Sequence, residues 1–200
     1  NEKTVVTLLE KCCHFIDLMN LMIESNPIKV YASGIQAVNH LDEAYGGRTP
    51  DILDNSYVIV DYETGERAML ELCMFAEGGR YEQEIVVTGE KGKIETHIPS
   101  EELLISNREK NSFESLPIKN DSRVKEEGLH HGASYIEHLE LIDCLTQSKS
   151  AKVDCQNGLE SMILGLAAQE SIKTGEAIYV CEFLKNLFSW RKALPGIINN

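Results

Sequence analysis

The sequence has no apolar run long enough to cross a bilayer, no cluster of lysine and arginine, and no cysteine pair at C-x-x-C spacing. Each absence excludes something. Without the run there is no membrane-crossing helix and no membrane partner to expect. The start, NEKTVVTLL, also lacks the basic region and small-residue cleavage site of a secretion signal, so the expected location is the cytoplasm. A net charge of -13 over 200 residues, with no basic patch to offset it, would repel phosphate backbones, so nucleic acid is excluded as a partner. The six cysteines, at 12, 13, 73, 144, 155 and 181, read as reduced thiols, not as a disulfide framework or a zinc site. No G-x-G-x-x-G follows a strand, and neither G-x-S-x-G nor H-E-x-x-H occurs. Gly89 to Lys93 contains Gly-Lys without the upstream glycine of a phosphate loop, so it reads as a turn.

What is present begins with LLEKCCHFIDLMNLMI, Leu8 to Ile23, which reads as one helix. Thr7 is its expected N-cap, with Glu10 completing a capping box, and Ser25, Asn26 and Pro27 mark its end. Leu8, Leu9, Phe15, Ile16, Met19, Met22 and Ile23 gather on one side, as in a helix docked on a core. Glu10, Cys13, His14 and Asp17 follow i, i+3, i+4, i+7 spacing and share the opposite side.

From Ile28 onward the period changes to two. IKVYAS, SYVIVDY, RAMLELCMFA, QEIVVTG, KIETHI and ELLIS read as strands joined mostly by short turns, ETGER and EKG among them, which predicts a largely antiparallel sheet. A long polar connection, Gly34 to Asn55, carries His40, Asp42, Glu43, Asp51 and Asp54, and loops of that length inside a domain are often functional. Residues 107 to 128 are charged and poor in apolar side chains, so they read as a surface excursion of low order.

Two helices follow. HHGASYIEHLELIDCLTQS places Tyr135, Ile136, Leu139, Ile142 and Leu145 on one face, and NGLESMILGLAAQESIKTG ends at Gly175, a natural C-cap. The fold class is therefore α+β: a largely antiparallel open sheet with helices packed on one face and the other face bare. Residues 1–182 are expected to form one domain and 183–200 an unassigned tail that holds the single tryptophan, Trp190.

An imidazole flanked by carboxylates, as His14 is by Glu10 and Asp17, suits acid-base work, because the acids raise its pKa and fix its tautomer. A solvated helix face explains the same row, and the residues alone favour it. A metal reading with Cys13 added lacks a second ligand cluster, so no metal is assigned. His130 and His131 precede Gly132 at a helix start, where donors can meet a ligand or simply mark a junction. Gly78, Gly79 and Arg80 interrupt a strand, as a bulge beside a site or as a hairpin loop.

The order EKCCHFIDLM, KVYASG, a strand pair, VTGEKGKIE, HHGASYIEHLELIDCL and NGLESMILGLAAQESIKTGE resembles the C-terminal domain of the glucose-fructose oxidoreductase / inositol dehydrogenase (Gfo/Idh/MocA) family, over roughly residues 8 to 178. The resemblance implies an NAD(P)-dependent oxidoreductase that moves hydride between the nicotinamide and a carbon of a sugar, inositol or related polyol. It implies an open sheet that serves as a subunit interface, hence a homo-oligomer. His14 matches the family histidine that exchanges the substrate hydroxyl proton, Glu10 stands where an aspartate is common, and Asp17 is the following acid. His131 looks like a histidine that approaches substrate in some members; Arg80, from the strand interruption and not from the resemblance, is a second substrate-binding candidate.

The family's Rossmann domain and its Glu-Lys-Pro motif have no counterpart here, and Glu10-Lys11-Cys12 is not that motif. The expectation is a substrate half that binds no dinucleotide and has no turnover alone. The alternative is a noncatalytic module that binds or dimerises through its open sheet face.

Overall fold

The structure is a computed structural model, and it describes residues 7–187 and 189. Most of the unassigned tail, with Trp190, lies outside the described residues. The chain forms two compact units, one of Thr7 to Glu77 with the segment from Val153 onward, the other Gly78–Lys152.

The first unit is built on an antiparallel four-stranded sheet. β1 (Pro27–Ile35), β2 (Asn55–Tyr62), β3 (Arg67–Cys73) and β8 (Ile178–Tyr179) lie in the order β3-β2-β1-β8. The remaining strands are β4 to β7, described below with the second unit. Alternation along the strands decides which face is buried. Val30, Ala32, Ser56, Val58, Val60 and Tyr62 are buried, while Tyr31, Tyr57 and Ile59 point the other way and are exposed. Helices cover only the inner face, as expected. α1 (Thr7–Lys11), α2 (Cys13–Ile23) and α4 (Cys155–Thr174) contribute Leu8, Cys12, Ile16, Leu164, Ala167 and Ala168 to the core, Cys12 from the junction of α1 and α2. Small residues let α4 approach closely: a Cβ on Gly165 would sit 2.8 Å from Leu9. α4 starts on a capping box at Asp154 and ends at Gly175, whose φ of +75° lets its N–H reach the Ser171 carbonyl at 2.8 Å. The segment after β8 forms α5 (Val180–Leu187), and its Phe183 and Leu184 pack on the core.

The expected single helix over residues 8–23 is in fact two. The chain breaks at Cys12 (φ -115°, ψ -6°), whose carbonyl accepts the N–H groups of both Phe15 and Ile16 at 3.0 Å. Thr7 lies within α1 and is not a cap. α2 ends at Glu24, left-handed at φ 52°, where the sequence signals place it.

The second unit is a meander of hairpins, β4 (Gln83–Gly89), β5 (Gly92–Ile98), β6 (Glu102–Asn107) and β7 (Ser112–Pro117), in sequential order. The run of strands expected as one sheet is thus two. Period-two alternation is the same in both, and nothing local says which sheet a strand joins. β7 corrects the low-order reading of residues 107–128: Ser112–Pro117 pairs with β6 although all its side chains are exposed. Backbone hydrogen bonds, not apolar content, hold it.

α3 (Ala133–Gln147) follows a 3-10 turn at Gly128–His130 and buries none of its residues. Its apolar stripe does not cover the sheet as expected. Ile142 is 53% exposed and Leu145 75%. Amphipathic periodicity predicts the helix but not its partner.

Candidate functional site

Cys12 divides the predicted acid-base row. Glu10 sits on α1, exposed; His14 and Asp17 sit on α2, His14 exposed and Asp17 half-buried. The helix pair is anchored from behind, because Leu8, Cys12 and Ile16 are 0–1% exposed and spaced by four. That anchoring turns the Glu10 and His14 positions to the solvent side. The His14 ring lies 4.1 Å from the Phe15 ring, tilted by 45°. Cys13, the fourth member of the row, is half-buried, and among the described residues no group of His, Cys, Asp and Glu could hold a metal. Burial, with the neighbouring Cys13, pushes the Cys12 thiol up to about 11, so its sulfur is a core atom and not a nucleophile.

The other two predicted site residues belong to the second unit, so each group is described in its own unit. Arg80 lies over the Tyr81 ring at 5.0 Å, and Tyr81 stacks on His97 at 4.3 Å. His131, at φ +51°, places Nε2 3.6 Å from Glu82. Gly132 follows at φ +88°, and Val124 packs where its Cβ would be. His131 also lines a cavity of about 300 Å³ together with Lys119, Asn120, Asp121 and Glu127. Hydrogen bonds from Arg123, as close as 2.6 Å, hold the Asp121 carboxylate at about 2. Val124 and Ile136 add apolar surface to the cavity's lining. Its lysine and asparagine carry no sequence signal beyond lying in a charged loop.

The long connection after β1 is an ordered structure. Asp54, 0% exposed, accepts the N–H groups of Ala37, Val38 and Asn39 at 2.7–3.0 Å and the Asn55 side-chain amide at 2.9 Å. Burial pushes this carboxyl up, but the hydrogen bonds from Asn39, Val38, Ala37 and Asn55 outweigh it and hold it at about 2. Gln36 ties Asn39 to Ile52 across the loop base, and Asn39 reaches the Met74 carbonyl at 2.7 Å. At the tip, Glu43 receives Tyr45 Oη at 2.9 Å on one oxygen and faces His40 Nδ1 at 2.9 Å with the other. The histidine and tyrosine hydrogen bonds keep the Glu43 carboxyl below its usual range. The loop's length and polarity marked it, but not which of its acids is buried.

A family model described as the C-terminal alpha/beta domain of an oxidoreductase family matches residues 1–181. The chain belongs to the Gfo/Idh/MocA oxidoreductase family. No curated protein matches by sequence. Among solved structures, this Gfo/Idh/MocA domain is similar to an oxidoreductase from Agrobacterium radiobacter in complex with NAD+, L-tartaric acid and magnesium. That likeness has a TM-score of 0.70 at 13% identity, over 91% of this chain and 51% of the other. An oxidoreductase domain protein from Kribbella flavida gives a TM-score of 0.70 at 15% identity, over 86% and 50%. A UDP-N-acetylglucosamine 3-dehydrogenase from Acidithiobacillus ferrooxidans gives 0.65 at 15%, over 84% and 47%. At these identities the likeness is one of fold, and the chain spans about half the length of the solved chains it matches.

Of the solved neighbours, one is in complex with NAD+ and another is described as NADPH-dependent. In this Gfo/Idh/MocA domain both sheets are antiparallel, and among the described residues no glycine-rich turn leads from a parallel strand into a helix. Among the described residues, no helix is long and apolar enough to cross a membrane.

Proposed function

We propose that these residues form the substrate-binding half of an NAD(P)-dependent oxidoreductase acting on a sugar, inositol or related polyol in the cytoplasm. The observation that carries the reading is His14, presented to solvent from a helix pair locked by Leu8, Cys12 and Ile16 in a chain of this family. Oxidation of a secondary alcohol removes a proton from oxygen and a hydride from carbon. In this reading His14 accepts the hydroxyl proton, and Glu10 and Asp17 orient the ring and stabilise its charged form. His131 and Arg80, both in the second unit, are proposed separately as substrate-binding residues. The dinucleotide is held by a part of the full-length protein outside this sequence, so the isolated chain binds none and turns nothing over. Residues 1–182 act as one functional domain, with the remaining tail accessory to it.

The test joins or mixes the chain with a dinucleotide-binding half and follows polyol-dependent NAD(P)H formation. His14→Ala is expected to abolish most of that rate, by the 10²- to 10⁴-fold typical of a general base. Undiminished turnover in that variant removes His14 from the reaction. Nucleotide titration of the chain alone is expected to show no saturation, and tight binding overturns the division of labour.

A second reading is favoured by the bare outer face of the first sheet. Tyr31, Tyr57, Ile59, Met69 and Tyr179 are 41–64% exposed there, and Tyr31, Ile59 and Met69 form one cross-strand row. Such a face suits a module that pairs with a second copy of itself, with or without catalysis. Light scattering that finds a monomer at every practical concentration excludes it.

A further inference from the structure

The tip of the β1–β2 loop holds a cluster that the oxidoreductase reading leaves unused. His40, Glu43 and Tyr45 are joined through one carboxylate, and the Tyr45 ring is 65% exposed, beside Val38 and Leu41 at 53% and 52%. The cluster does not account for itself as a staple. Asp54, Gln36 and Asn39 already hold the loop base with buried and half-buried hydrogen bonds. An exposed imidazole–carboxylate contact adds little stability in water. His40 meanwhile sits at φ +59°, a left-handed backbone that disfavours side chains other than glycine. The strain presents functional groups outward and leaves apolar side chains in solvent.

We propose that this tip is a binding site for a neutral polyhydroxylated ligand, with Tyr45 as the platform and Glu43 and His40 as hydrogen-bonding groups. With Nδ1 engaged by Glu43, Nε2 of His40 remains for a ligand hydroxyl. Glu43 retains lone pairs beyond the two contacts it makes. Adjacent hydroxyls hydrogen-bond to these two groups, and the C–H face of a sugar ring or polyol chain lies on the tyrosine ring. Asp42 and Asp51 on the same loop disfavour an anionic ligand. The buried Asp54 fixes the loop before the ligand arrives, which reduces the ordering cost of binding.

The test is an amide-shift titration of the nitrogen-15-labelled chain with maltose and sorbitol, and with spermidine as a cationic probe. Saturable shifts confined to Ala37–Arg48 with the two neutral probes are expected. Affinity should fall by about tenfold or more in Tyr45→Ala and in Glu43→Gln. Tyr45→Phe, which keeps the ring, should bind nearly as the parent does. Unchanged strand resonances in each variant separate lost binding from lost folding, and His14→Ala should leave these shifts intact, which separates this site from the oxidoreductase reading. No saturation, shifts that map elsewhere, or stronger response to spermidine overturns the proposal.

Discussion

The hydroxyl of Ser171 on α4 accepts the backbone N–H of Ala32 on β1 at 2.8 Å, joining positions 139 residues apart. The same hydroxyl donates to the Glu176 carbonyl at 2.6 Å, and Ser171 is 0% exposed. It satisfies the edge of β1 at Ala32, beyond the two residue pairs where β8 supplies a strand. Ser171→Ala leaves the buried Ala32 N–H without its serine partner and should cost about 1–3 kcal/mol. A urea unfolding midpoint indistinguishable from the parent's contradicts that role.

Asp54 should make stability fall in strong acid. Its carboxyl titrates at about 2 in the folded chain against an ordinary 3.8, so its contribution is complete above 3.8 and disappears as pH drops through about 2. Asp54→Asn keeps the shape but loses the charge that the Ala37, Val38 and Asn39 amides face. We expect roughly 1.5–3 kcal/mol of destabilisation at neutral pH and a flatter acid limb. Superimposable pH profiles for the two proteins contradict the assignment.

Gly92 should not tolerate a side chain. A Cβ there would lie 2.0 Å from the Ser106 carbonyl oxygen, inside the β5–β6 ladder. Gly92→Ala should raise amide exchange around Ser106 and Asn107 while leaving the first unit's strands protected. Uniform loss of protection in both units counts against their independence.

Cysteine labelling should read the burial order. Cys73, Cys155 and Cys181 are exposed and should react with a thiol reagent first, and Cys12, pushed up to about 11 and 1% exposed, last. Fast labelling of Cys12 in the native chain would show that α1 and α2 are not docked as described.

Ile59→Lys places a charge in the middle of the Tyr31–Ile59–Met69 row on the bare sheet face. On the pairing reading, association between copies should weaken by at least about tenfold, with the unfolding midpoint nearly unchanged because the side chain faces out. A large stability loss without a change in association places Ile59 in the core instead.

Local pattern determined the elements. Alternation in SYVIVDY, the glycines at 65 and 175 and the breakers after Ile23 each report the conformation of their own few residues, and the structure follows them. The acidic balance argued against nucleic acid, and the order of motifs carried the resemblance to the family. What lay beyond the sequence was the choice of partner. Two sheets in place of one, β7 held by pairing alone, α3 with Leu141 and Leu145 in solvent, and the burial of Asp54 in place of Asp42 or Asp51 all depend on contacts between distant positions. The break at Cys12 belongs with them: the helical period runs through it unbroken, and its thiol instead joins the core beside Leu8 and Ile16. Periodicity encodes which face of an element is apolar, and only the folded chain decides what that face meets, because packing and hydrogen-bond pairing are satisfied between elements and not within them.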